Sequence, residues 1–104
     1  MSFIDVIDAE MKVDELWSKH YSITPEYSCF FAATSKETRL NYISKYIKSK
    51  KDLLKKIEDL LIELEKAENY ADLCDLIAKL RYLKRLVEKT ISKYESELSS
   101  NSEK

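Results

Sequence analysis

Two lysines, Lys50 and Lys84, interrupt otherwise apolar stripes and are the first candidates for chemistry in this sequence. An amine placed among apolar side chains has two outlets. It lays its stem on the core and sends its ammonium outwards, or it keeps a carboxylate or phosphate beside it. A second set, Lys48, Lys51, Lys55, Arg81 and Arg85, falls in the same two stretches, with Tyr42 and Tyr82 interleaved. Such a band attracts a phosphate backbone, and the tyrosines could stack on unpaired bases. Residues 36–56 carry eight positive and two negative charges, and residues 79–93 carry six and one; residues 57–78 carry one and seven. The net charge is nonetheless −1, unlike the strongly basic balance of a dedicated nucleic-acid binder. Lysine-rich helix exteriors are also commonly plain solvated surface.

The remaining reactive side chains form no motif. His20 is the only histidine, and Cys29 and Cys74 lie far apart, so no zinc-ligand spacing exists. Both cysteines read as buried free thiols, which behave as small apolar residues. His20 has no nucleophile placed for it, and carboxylates such as Asp14 and Glu15 fall on a polar helix face. Arg39, Arg81 and Arg85 invite comparison with small helical mutases that hold dicarboxylates, but Arg39 is placed well away from the other two. The segment Thr24–Phe31 ends in two aromatics, as a sliding-clamp-binding box does, yet lacks its glutamine and central aliphatic residue. Core packing of Phe30 and Phe31 explains it better. With no glycine in the chain, Gly-rich phosphate loops and nucleophile elbows are not expected. The expectation is a protein that is not an enzyme, with no metal, cofactor or small-molecule substrate.

Helices must position whatever does act. The chain has 104 residues, enough for one domain. Its longest apolar run, Cys29–Ala33, is far too short for a membrane span, and Asp5, Asp8 and Glu10 stand where a secretory signal would be basic. A soluble cytoplasmic protein is expected. Abundant Lys and Glu with no Gln resembles hyperthermophile composition. Phe3, Val6, Ile7, Val13, Leu16 and Trp17 make an imperfect helical stripe over residues 3–20. Thr24-Pro25 starts a short helix to Ala33, and Thr34-Ser35-Lys36-Glu37 matches a capping box before the next. From there Leu40, Ile43, Ile47, Lys50, Leu54, Ile57, Leu61 and Leu64 alternate as heptad a and d positions. After a polar break at residues 65–69, capped by Asn69, a second series follows: Tyr70, Leu73, Ile77, Leu80, Lys84, Val87, Ile91, Tyr94 and Leu98.

So short a break makes the two long helices antiparallel. A turn centred on Ala67 sets every a position level with a d position, and it sets Lys50 level with Lys84. The g positions Tyr46, Leu53, Leu60, Leu76 and Leu83 are apolar too, which broadens the seam into a face that something must cover. The N-terminal helices, with Trp17, Phe30 and Phe31, are the natural lid. The fold class expected is therefore all-α: an antiparallel, coiled-coil-like hairpin over residues 35–98, N-terminal helices over 1–34 completing a three- or four-helix bundle, and a flexible tail at 99–104. Two functions fit. One is an adaptor or accessory subunit that binds another protein, or itself as a homodimer, through the g side (Tyr46, Leu53, Leu60, Leu76, Leu83). The other is a nucleic-acid binder using Lys48, Lys50, Lys51, Lys55, Arg81, Lys84 and Arg85.

Overall fold

The computed structural model describes residues 3–23 and 36–102. Among these there are three α-helices, one 3-10 turn and no strand: α1 (Val6–Ser22), α2 (Lys36–Glu65), the turn Tyr70–Leu73, and α3 (Cys74–Ser102). The all-helical class is as expected. The short helix at 25–33, its Phe30 and Phe31, Cys29, and the cap residue Thr34 lie outside the described residues. α3 is helical as far as Ser102, past Ser99, where a tail was expected.

The start of α1 is locally determined. The Asp5 side chain accepts a hydrogen bond from the Ile7 backbone N–H at 2.8 Å, so a carboxylate caps the positive end of the helix dipole. Ala9, Val13 and Leu16 form its buried face. Val13 and Leu16 each contribute about 1.5–3 kcal/mol by leaving water, which is what holds α1 on the hairpin. Half of the expected stripe does not share this face. Ile7 and Leu16 are nine residues apart, about two and a half turns, and so point in opposite directions. Phe3 and Ile7 are exposed, and Val6 nearly half so.

The junction between α2 and α3 corrects the expected register. Asn69 makes no side-chain cap, Tyr70–Leu73 wind as a 3-10 turn, and α3 begins only at Cys74. The connection therefore centres beyond Ala67, and α3 slides along α2. The expected register sets Glu65 level with Asn69 and Lys51 level with Leu83. The structure instead joins Glu65 to Arg81 and Lys51 to Glu95, and packs Tyr46 edge-on to Tyr94 at 4.9 Å. These partners lie six to twelve residues further along, about two to three turns.

Asn69 has another task. Its amide receives the Ile4 N–H at 2.9 Å and donates to the Ile4 carbonyl at 2.6 Å, pinning the residues before α1 to the hairpin turn. From there α1 runs antiparallel to α2 and parallel to α3, so that His20 reaches Lys50 and Trp17 reaches Tyr82.

Docking of α1 widens the buried arc of the hairpin. In α2 the d and g positions Lys50, Leu53, Ile57, Leu60 and Leu64 are buried together with the a positions Ile47 and Leu61, while the a position Leu54 is only half-buried. Leu73 in the turn, and Leu76, Ile77, Leu80, Leu83, Val87 and Ile91 in α3, are buried in the same way. The g residues Leu53, Leu60, Leu76 and Leu83 are thus taken up in the chain's own core under α1, and Tyr46 is half-buried. They do not form the open docking face expected of them, because the lid expected from the N-terminal segment lies on that face.

Candidate functional site

Lys50 is the one buried charged side chain among the described residues, at 1 % exposure. It lies under the C-terminal end of α1. Lys84 stays half-exposed. The docking of α1 therefore separates two lysines that the heptad alone treats alike. The shifted register parts them further: Lys84 lies in a groove beside Glu58 and Leu61, down α2 from Lys50. Neither expected outlet applies to Lys50, which does not reach solvent and has no carboxylate partner among the described residues.

What meets Lys50 is the end of α1. Its Nζ donates to the His20 carbonyl at 2.8 Å and lies 2.9 Å from His20 Nδ1. The last carbonyls of a helix have no intrahelical donor. In α1 the Lys19 carbonyl is satisfied by the Ile23 N–H and the Ser22 hydroxyl, and the His20 carbonyl by Lys50. A cation there also faces the negative end of the α1 dipole. The ring of Tyr46 lies 5.6 Å from Nζ and adds a π face. Burial nevertheless disfavours the ammonium and pulls its pKa from 10.5 down to about 8. Burial, and then the charge of Lys50, also lower the pKa of His20. A neutral His20 that accepts through Nδ1 carries its proton on Nε2.

Beside this pair, Trp17 lies between two tyrosines. Its ring is 5.8 Å from Tyr21 at 29° and 6.0 Å from Tyr82 at 28°, with His20 edge-on at 6.4 Å. Both tyrosines are largely exposed. The indole Nε1 is buried without a hydrogen-bond partner. Tyr82, expected interleaved with the basic band, stacks instead on Trp17 of α1.

The basic band is broken up by acids. Lys48, Lys51, Lys55, Arg81 and Arg85 are exposed as expected. Arg81, however, donates to Glu65 at 2.9 Å, which raises its pKa, and Lys51 lies 3.7 Å from Glu95. Glu58, Glu65 and Glu88 line one groove together with Arg81, Lys84 and Arg85. The carboxylates that share this groove make the local field weaker than the count of positive charges implies.

The feature that sequence reasoning missed is the outer face of α1. Ile7 and Met11 are 67 % and 65 % exposed, and Phe3, ahead of the helix, is 74 % exposed. The signal was available: Ile7 and Met11 are spaced by four, and on the helical wheel they sit opposite Ala9 and Leu16.

Cys74, expected to be buried, is an exposed free thiol that donates weakly to the Tyr70 carbonyl at 3.5 Å. No group of three or more His, Cys, Asp or Glu among the described residues could hold a metal ion, and none of the described helices is long and apolar enough to cross a membrane. No family model, curated protein or solved structure matches the chain.

Proposed function

We propose that this protein is a non-enzymatic helical interaction module, an accessory subunit that docks onto a larger protein through the outer face of α1. The observation that carries this reading is the exposure of Ile7 and Met11 on the side of α1 turned away from the core, with Phe3 exposed just ahead of the helix. Single exposed apolar residues are ordinary, but large ones at helical spacing are what a helix groove or a partner helix reads. Among the described residues the broad apolar side of the hairpin is buried in the chain's own core with α1. Nucleic-acid contact is the weaker reading, because Glu58, Glu65, Glu88 and Glu95 lie among the cations that would have to bind phosphate.

The test is a photocrosslinking side chain placed at position 11, or at position 48 as a control, followed by exposure to extract of the source cells. A partner crosslinked from position 11 only, identified, purified and reconstituted one-to-one with the chain, supports the reading. It must also be lost when Ile7→Glu and Met11→Glu are combined. Capture that is indifferent to those substitutions refutes it.

A further inference from the structure

Resting on that docking role for α1, we infer that the occupant of its outer face is a basic amphipathic helix. On a wheel of 100° per residue, Ile7 and Met11 fall within 40° of each other and opposite the buried Ala9 and Leu16. The charged residues nearest to them are acids on both sides: Glu10 and Asp14 along one flank, Asp8 and Glu15 along the other, all exposed. The cations of α1, Lys12 and Lys19, lie further round the helix, beyond Asp8 and Glu15. Lys19 holds Glu15 at 3.7 Å, which leaves Asp8, Glu10 and Asp14 to face a partner. An apolar strip with a carboxylate rim on each side is complementary to a helix with an apolar strip and a lysine or arginine rim.

The same charges weigh against other occupants. A second copy of α1 would set these carboxylates against their own kind, since residues 3–23 carry five acids and two lysines. An anionic membrane surface would be repelled in the same way. From Ile7 to Glu15 the strip and its rim cover about 12 Å, the length of roughly two turns of a partner helix, enough for anchors at i, i+4 and i+7.

The experiment uses the full chain and three labelled 18-residue helical peptides with one apolar face: Leu/Lys, its Leu/Glu twin, and a Leu/Ser twin. Binding is read by fluorescence anisotropy. The expected result is one-to-one binding of the Leu/Lys peptide that weakens as salt is raised. It should fall roughly tenfold with Glu10→Lys plus Asp14→Lys, and by a similar factor with Ile7→Ser plus Met11→Ser. Circular dichroism checks that each variant keeps its helix content. Any of three results overturns the inference: the acidic or neutral twin binding equally well, the Leu/Lys peptide ignoring the Ile7 and Met11 changes, or no peptide binding at low salt. A dimer in sedimentation that Ile7→Ser plus Met11→Ser dissociates also overturns it, in favour of a second copy. The crosslinking experiment is independent of these outcomes: a position-11 partner without a basic helix would sink the partner class and leave the docking role standing.

Discussion

Replacing Lys50 by Met keeps a long side chain in the core and removes its amine. In the wild type, folding carries an ammonium from water to a site of 1 % exposure, where its pKa falls from 10.5 to about 8. At about 1.4 kcal/mol per pH unit, that difference corresponds to at most about 3.5 kcal/mol of lost stability. Between pH 8 and 10.5 the unfolded chain still binds the proton that the folded chain has released, so stability rises with pH across that window. Below pH 8 both states are protonated and the whole cost is present; above 10.5 it is gone. His20 adds a second rise at lower pH. Its imidazolium is disfavoured in the fold, so stability is lost as pH drops through 6.5 and below. Lys50→Met removes the desolvated charge but leaves the His20 carbonyl without its donor, which costs about 1–3 kcal/mol. At pH 7 these effects oppose each other, and the variant should unfold within about 2 kcal/mol of the wild type. At pH 10 the wild type should be ahead. Urea unfolding followed by circular dichroism, at intervals from pH 6 to 10.5, measures both curves. A wild-type curve that is flat or falling between pH 8 and 10, with Lys50→Met running parallel to it, would refute the assignment of Lys50 as a desolvated amine.

Two further substitutions test the packing. Leu83→Ala removes a side chain of 0 % exposure and should destabilise the fold by about 2–5 kcal/mol in urea unfolding; a cost below about 1 kcal/mol would mean that Leu83 is not in the core. Asn69→Asp keeps an acceptor for the Ile4 N–H but loses the amide donor to the Ile4 carbonyl. Hydrogen exchange should then speed up at the start of α1 while the centres of α2 and α3 keep their protection. Uniform acceleration in all three helices would show instead that Asn69 supports the whole fold and not the α1 junction.

Much of this molecule follows from local pattern. The heptads from Leu40 to Leu64 and from Leu73 to Leu98 specify long helices, because apolar residues recurring at three and four leave no other regular structure that buries them on one side. The apolar g positions foretold a third helix on the hairpin, and α1 is there. Tertiary structure decided the rest. The register depended on whether Tyr70–Leu73 continue the helix or tighten into a 3-10 turn, and nothing in a heptad repeat distinguishes the two. Lys50 and Lys84 are equal interruptions in sequence. Only the docking of α1 buries one against the carbonyl and ring of His20, while the other lines a groove shared with glutamates. The partners of Asn69 and Lys50 are 65 and 30 residues away in the chain, and a pairing across such a distance is set by how whole helices dock, which local spacing does not encode.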